Sequence, residues 1–215
     1  MGNEKKKLLN INAVLACLRT RRKLFVSEAD FQLELAWILK EMYPNAKVRL
    51  EYCPEFDPQM HIDILVIMDG KWIPIELKYK TKGCTKSVDG ELYNLKNHGA
   101  KDVNCYLYLK DIERIETVKN AVPNFAEGYT VFITNDLTYI RKPQKANCVY
   151  AEFSLAEGVY KSGYLNWSED TGEGTKKGHE TPVRLDGEYL MQWLDYSYVD
   201  NTPSGRFKML VNVIQ

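Results

Sequence analysis

The spacing of apolar residues predicts two helices near the beginning of the chain. The first is expected over residues 8–18, where apolar side chains recur every three or four positions. The second is expected over residues 28–42, and Pro44 follows its end. Ser27 is placed as the N-cap of this second helix, because Asp30 follows at the capping-box position. The apolar stripe of the second helix consists of Phe31, Leu35, Ile38, Leu39 and Met42.

Two β-rich runs around the dipeptide Asp69-Gly70 predict a hairpin. Asp-Gly suits a type I′ turn, in which both central residues have positive φ. Counting back from a two-residue loop, the register pairs Asp63 with Glu76. Residues directly opposite each other on antiparallel strands share one face of the sheet, so these two carboxylates are expected to lie close together.

The rest of the chain alternates helix, strand and loop signals. Further strands are expected over residues 47–52, 129–134 and 147–155. A loop is expected over residues 81–90, and two helical segments, separated near Gly99, are expected over residues 91–97 and 102–119. Alternation of these elements predicts an α/β fold with a central mixed β-sheet flanked by helices.

The segment after Gly158 is rich in aromatic residues and is expected to be a β-rich extension packed on the core. Stacking of those aromatic side chains on unpaired bases is the alternative. We therefore expect a core over residues 1–157, which includes the N-terminal helix, and an extension over residues 158–215. Together these segments are expected to form one compact domain.

Composition narrows the class of protein. The chain has 215 residues, with 45% apolar and 27% charged side chains, and no apolar run long enough for a membrane span. The N-terminus lacks the apolar part of a signal peptide. Five scattered cysteines without zinc spacing indicate reduced thiols, so a cytoplasmic location without membrane contact is expected.

Charge gives a mixed indication about nucleic acid. The net charge is zero, which argues against a generic nucleic-acid binder. Lysines nevertheless cluster on and after the second hairpin strand, where they could contact phosphates. These lysines are Lys71, Lys78, Lys80, Lys82 and Lys86.

The pair Asp63 and Glu76 carries the strongest chemical signal. Two facing carboxylates repel each other unless a cation lies between them, and Mg²⁺ prefers such oxygen ligands. Lys78 lies two residues after Glu76 and so projects from the same face. The apolar residues around both acids indicate a buried strand, which rarely carries charges without a purpose. A solvated β-ribbon edge is the alternative.

The arrangement of Asp63 with Glu76-Leu77-Lys78 resembles the PD-(D/E)xK nuclease superfamily, which has a restriction-endonuclease-like fold. The resemblance covers roughly residues 24–135, and Ile62 stands where that family often has Pro. It implies that Asp63, Glu76 and the Leu77 carbonyl hold Mg²⁺, for which Mn²⁺ would substitute. It also implies that Lys78 positions the attacking water.

A Glu on the first core helix points at the metal in that family. Glu28 lies near the apolar stripe of the second helix, whereas Glu34 is closer to the family's spacing but further from the stripe. We prefer Glu28 as a catalytic residue. Complementing the helix dipole is the alternative role for an acid in the first turn. Gln32 is one turn after Glu28 and is expected to line the same cleft.

Three further residues are second-tier candidates for substrate contacts. Lys80 continues the motif strand, and Lys96 and His98 lie in a polar stretch of the kind that contacts phosphates. His98 could also transfer protons. A helix C-cap before Gly99 explains this stretch equally well.

These observations predict a Mg²⁺-dependent endo- or exodeoxyribonuclease, with RNA as the less favoured substrate. The rival interpretations are a catalytically silent nucleic-acid-binding module and a protein-interaction domain of the same fold. The sequence leaves open a homodimer, the strandedness of the substrate and the biological pathway.

Overall fold

A computed structural model describes residues 8–145 and 148–215. The helices are Ile11–Arg21 (α1), Glu28–Met42 (α2), Lys101–Ala121 (α3) and the short Glu173–Lys176 (α4), with a 3₁₀ turn at Pro203–Gly205. The first six strands are Lys47–Tyr52 (β1), Ile62–Met68 (β2), Lys71–Lys80 (β3), Cys84–Val88 (β4), Glu91–Leu95 (β5) and Gly128–Thr134 (β6). The last four are Tyr160–Leu165 (β7), Val183–Leu190 (β8), Trp193–Tyr198 (β9) and Arg206–Ile214 (β10).

The predicted α/β class is confirmed. Six strands form a central sheet in the order β1-β2-β3-β6-β10-β9. Only the β3–β6 pair is parallel, so the sheet is mixed. Two separate hairpins, β4–β5 and β7–β8, form small sheets of their own.

Helices cover both faces of the central sheet. One apolar cluster joins α1 and α2 to side chains of β2, β3 and β6. A second cluster joins α3 to the opposite face and to residues of β7, β8 and β10. On β3, the side chains of Glu76 and Lys78 face α3.

The second helix follows its prediction, and the first is displaced. The Ser27 hydroxyl accepts a hydrogen bond from the Asp30 N–H at 3.1 Å, and α2 spans the predicted residues. The first helix begins at Ile11 instead of residue 8, because the Asn10 side chain caps it by accepting from the Ala13 N–H. It also extends to Arg21.

The Asp69-Gly70 hairpin is confirmed. Both residues have positive φ, 50° and 75°, as a type I′ turn requires. Met68 pairs with Lys71, and the register continues to Ile64 opposite Ile75. The predicted strand at residues 47–52 also forms and becomes the edge strand β1.

Residues 81–90 were expected to form a loop and residues 91–97 a helix. The helix is wrong, and the loop is confirmed only for residues 81–83. Residues 84–95 form the β4–β5 hairpin, whose turn residues Asp89 and Gly90 have φ of 50° and 85°. The two strands pair only with each other, so few of their residues are buried and their sequence is mostly polar. A second Asp-Gly dipeptide was the available signal.

The later elements give a mixed outcome. Helix α3 and strand β6 lie within two residues of their predicted ends. The strand expected over residues 147–155 is wrong for residues 148–155, where backbone hydrogen bonds close successive turns. Asn147 lies outside the described residues.

The segment after Gly158 contributes directly to the central sheet. Strand β10 pairs with β6 from Lys208 to Ile214, and β9 pairs with β10. Of its aromatic residues, Trp193 and Tyr196 are buried, whereas Tyr160 and Tyr164 are exposed. No helix in the described ranges is both long and apolar enough to cross a membrane.

Candidate functional site

Strands β2 and β3 separate one pair before Asp63 and Glu76 would meet. The ladder has the predicted register but ends at Ile64 opposite Ile75. Beyond that point, the Leu77 N–H donates to Asp63 Oδ2 at 2.6 Å. The Asp63 carboxylate therefore occupies the place that a backbone carbonyl of β2 would take in a continued ladder.

The next free N–H group of β3 is bonded in the same manner. The Tyr79 N–H donates to Glu28 Oε2 at 2.7 Å, and Lys80 Nζ lies 3.0 Å from the same oxygen. Glu34 instead forms an ion pair with Arg22 at 3.7 Å. Of the two helix-borne acids, Glu28 is therefore the one at the motif strand.

Glu76 is buried against α3. Its side chain is 1% exposed, and Arg114 Nη1 lies 2.9 Å from Oε2. Among the residues that the structure describes, Oε1 has no hydrogen-bond partner. Burial raises the pKa of Glu76 well above its usual range, and repulsion by Asp111 and Asp63 adds to this effect. The carboxylate thus has one oxygen that is available to a cation.

Lys78 forms a close ion pair with Asp111. Its Nζ lies 2.6 Å from Asp111 Oδ2, and Asp111 is only 2% exposed. Arg114 Nη1 also contacts Asp111 Oδ1 at 3.1 Å. Burial lowers the pKa of Lys78, but attraction by Asp111 and Glu28 outweighs that effect, so the pKa is raised. Lys78 therefore stays charged.

Sequence reasoning missed Asp111 and Arg114. Both lie on α3, which crosses the sheet at β3. A signal was present, since Asp111 falls on the same helical stripe as the buried Tyr108 and Ile115. An acid on a core-facing stripe needs a partner, by the same argument that selected Glu28.

Asp63 has a perturbed ionisation. Burial raises its pKa to about 6, and the charges of Asp111 and Glu28 contribute in the same direction. The hydrogen bond from Leu77 and the charge of Lys78 oppose this shift but do not cancel it. The site therefore disfavours the negative charge on Asp63 unless a further cation is present.

Gln32 connects the site to the edge strand. Its Nε2 donates to the Asp63 backbone oxygen and to Glu51 Oε1, both at 2.7 Å. Glu51 lies opposite Asp63, between the paired residues Leu50 and Tyr52, and has a positive φ of 50°. This acid was not predicted from the sequence, although positive φ at a non-Gly residue often marks a functional region.

The two remaining candidates lie at the far end of β3. His98 Nδ1 accepts from the Thr81 N–H at 2.9 Å, so a neutral imidazole carries its proton on Nε2. Burial lowers the pKa of His98, and the charge of Lys80 lowers it further. Lys96 is exposed, and its backbone oxygen accepts from the Thr81 hydroxyl at 2.6 Å. These contacts hold the β4–β5 hairpin to β3.

The donor set is compatible with a divalent cation. Glu76 Oε1 has no partner among the described residues, and Asp63 lies at the same strand end. The Leu77 carbonyl points to the same side of β3 as its N–H, and Lys78 Nζ lies 3.4 Å from its oxygen. Within residues 8–145 and 148–215, no group of three or more His, Cys, Asp and Glu side chains is arranged as a ligand set. Here the acids contact Lys78 and Arg114 instead.

The chain was compared with models of protein families, with curated proteins and with solved structures, and none of the three comparisons gives a match.

Proposed function

We propose that this protein is a Mg²⁺-dependent nuclease that hydrolyses phosphodiester bonds of DNA. The observation that carries the proposal is the part of β3 that lies beyond its pairing with β2. There, Glu76 and Lys78 face α3 beside Asp63. Glu76 is buried there with Oε1 unbonded by any described residue. A buried carboxylate oxygen without a hydrogen-bond partner is costly, and an oxygen-seeking cation would remove that cost.

The residues divide into clear roles under this proposal. Asp63, Glu76 and the Leu77 carbonyl would hold the ion. Glu28 extends from α2 to the edge of β3 and would act through a water molecule. A bound divalent ion lowers the pKa of its water and stabilises charge on the phosphate. Lys78 is kept charged by its ion pair, so it orients the water or a phosphate oxygen and does not act as a base.

The architecture supports a restriction-endonuclease-like core as the finer description. Helix α2 is followed by the antiparallel strands β1, β2 and β3, then by α3 and the parallel strand β6. The exposed lysines Lys82 and Lys96 beyond the end of β3 favour a nucleic acid as substrate, with DNA before RNA. Mn²⁺ would substitute for Mg²⁺, and the proposed location is the cytoplasm.

The test compares cleavage by three variants. Lys78→Ala should reduce cleavage at least about 100-fold while leaving metal binding largely intact, because Lys is not a ligand. Glu76→Ala should lose both cleavage and metal binding. Lys71→Ala is the matched control, since Lys71 is an exposed lysine at the start of the same strand. The assay uses single-stranded, duplex and branched DNA, and RNA, with Mn²⁺; metal binding is followed by thermal shift.

A different outcome would reject the enzyme. If the wild-type protein is as inert as Lys78→Ala on every substrate but binds DNA, the catalytically silent module is the better description. One observation favours that alternative. Glu76 and Asp111 already have the basic partners Arg114 and Lys78, so these two buried acids are paired without a metal ion.

A protein-interaction domain is the third candidate. Leu33 and Trp37 on α2 and Leu50 on β1 are exposed apolar residues that line one shallow depression. Exposed apolar patches of this kind mark interaction sites. Absence of both DNA binding and a metal response would favour this description.

A further inference from the structure

Arg114 contacts Glu76 at Oε2, next to the oxygen Oε1 that is available to a cation. Its Nη1 lies 2.9 Å from Glu76 Oε2 and 3.1 Å from Asp111 Oδ1, so one nitrogen bridges both acids. Lys78 has a separate partner atom, Asp111 Oδ2. Arg114 is therefore the basic side chain in contact with the proposed metal ligand Glu76.

The charge balance of the site makes the contact between Arg114 and Glu76 depend on whether a divalent ion is bound. Asp63, Glu76 and Asp111 carry three negative charges when ionised, and Lys78 and Arg114 carry two positive charges. The site is thus short of one positive charge without metal. A divalent ion reverses the sign and leaves one positive charge in excess, which attracts an anion and weakens the hold of Glu76 on Arg114.

Arg114 is also better placed than Lys78 to leave its position. The Arg114 side chain is 33% exposed, whereas that of Lys78 is 13% exposed. The second contact, to Asp111, would keep the released guanidinium beside the site. A guanidinium presents several donors in one plane and binds phosphate oxygens in pairs.

We infer that Arg114 couples metal binding to substrate binding: the divalent ion displaces it from Glu76, and the released guanidinium then binds a phosphate of the substrate. This inference rests on the proposed function. Arg114 would then have two opposing effects, since its side chain weakens the binding of the metal and strengthens the binding of the nucleic acid. By linkage, metal and substrate must each strengthen the binding of the other.

The first experiment measures both effects in the variant Arg114→Gln. Its Mn²⁺ dissociation constant, from calorimetry without DNA, should fall at least about fivefold, the lower end of typical coupling between sites. Its affinity for a phosphorothioate DNA duplex at saturating Mn²⁺ should fall by a similar factor. The duplex resists hydrolysis, so binding alone is measured.

Lys110→Gln is the matched control for a general change in charge. Lys110 lies on the same helix and pairs with Glu113, away from the proposed ligands. It should leave both constants within about twofold of wild type, as expected of a solvent-screened charge that has its own acidic partner. An unchanged or weaker Mn²⁺ affinity in Arg114→Gln would overturn the inference.

A second experiment uses the wild-type protein and decides the matter if Arg114→Gln does not fold. Phenylglyoxal modifies free guanidinium groups, and mass spectrometry reports the extent at Arg114. Modification should increase with saturating Mg²⁺ and decrease again when the duplex is added. Modification that is indifferent to Mg²⁺ would overturn the inference.

The two proposals fail in distinguishable ways. If the wild-type protein shows no heat of Mn²⁺ binding and no thermal shift, the metal site itself is wrong, and the inference falls with it. If the wild-type protein binds Mn²⁺ but Arg114 neither competes with it nor becomes reactive, only the coupling is wrong.

Discussion

Asp63 combines two physical roles that are usually separate. Its Oδ2 completes the hydrogen bonding of β3 by accepting from Leu77 N–H. Its negative charge is disfavoured by burial and by nearby acids. The first role requires an acceptor atom, which Asn also has, and the second concerns charge alone.

This separation predicts a pH-dependent effect of Asp63→Asn. The folded pKa of about 6 is above the ordinary value of 3.8, so the folded state holds the proton more tightly. Without metal, stability is therefore lost as pH rises through this window, by about 3 kcal/mol for a shift of this size. The free energy of unfolding of Asp63→Asn should exceed that of wild type at neutral pH by up to this amount.

Urea unfolding in EDTA at several pH values checks this prediction. The difference between the two proteins should shrink toward zero as pH falls through 3.8. Added Mn²⁺ should stabilise wild type and not Asp63→Asn. A variant that is less stable than wild type at neutral pH without metal would show that the charge on Asp63 is favourable in the fold.

At the scale of residues, the sequence predicted the side chains whose neighbours are close in the chain. One hairpin turn predicted that Asp63, Glu76 and Lys78 lie near one another, and one helical stripe selected Glu28, although its contacts with Tyr79 and Lys80 had no local signal. The roles of these residues stay predictions. Asp111 could not be assigned a partner, because its contact with Lys78 depends on how α3 crosses the sheet. That crossing is set by packing between distant segments.

At the scale of elements, α3 owes its position to close packing on β6. A Cβ on Gly128 would lie 2.3 Å from Ile115 Cγ2 and 3.3 Å from Pro74 Cγ. A residue with a side chain would force Ile115 to shift, and Ile115 belongs to α3, the helix that carries Asp111 and Arg114. The absence of a side chain at Gly128 thus allows α3 to pack closely on the central sheet.

Gly128→Ala should therefore lower the free energy of unfolding by about 1–3 kcal/mol, the usual cost of overpacking. Gly172→Ala is the control, because a Cβ there meets no atom within 4 Å and φ is −62°. It should change stability by less than about 0.5 kcal/mol. Urea unfolding measures both variants.

The double variant Gly128→Ala/Ile115→Ala tests the cause. Ile115→Ala alone should cost about 2–5 kcal/mol by leaving a cavity. The space it creates would accept the new methyl group, so the double variant should lose less than the two single variants together. Simple additivity would mean that the two groups do not meet.

Prediction of the elements succeeded where a local signal was strong. The Ser27 cap and the Asp69-Gly70 turn both gave correct segments. Residues 84–97 failed because β4 and β5 pair only with each other and bury few residues. Their polar composition is typical of a loop, and only Asp89-Gly90 indicated a hairpin.

At the scale of the whole molecule, the last strands of the chain complete the central sheet. Strand β10 lies against β6, the parallel neighbour of the motif strand β3. Its inner residues also join the apolar cluster beneath α3. This pairing of the last strand with a strand from the middle of the chain has no local signal, so the sequence predicted strands in the last segment but not their place in the sheet.

A fragment ending at residue 157 should therefore fail to fold. Removal of β10 exposes the whole edge of β6 and apolar surface beneath α3, which favours aggregation. The measurements are circular dichroism and thermal unfolding. Expression together with a fragment of residues 158–215 should restore a cooperative transition. A cooperative transition in the first fragment alone would contradict this account.

The bonding of β3 by side chains has an evolutionary consequence. Folding requires an acceptor at residue 63 but not a charge, so a lineage that lost the proposed activity could exchange Asp63 for Asn at little cost. Buried ion pairs such as Glu76–Arg114 and Lys78–Asp111 can be replaced by apolar residues, often with a gain in stability, provided that both partners are exchanged. Selection for folding alone would therefore erase the charges at residues 76 and 78 first. Their joint retention in a lineage would be a record of selection for activity.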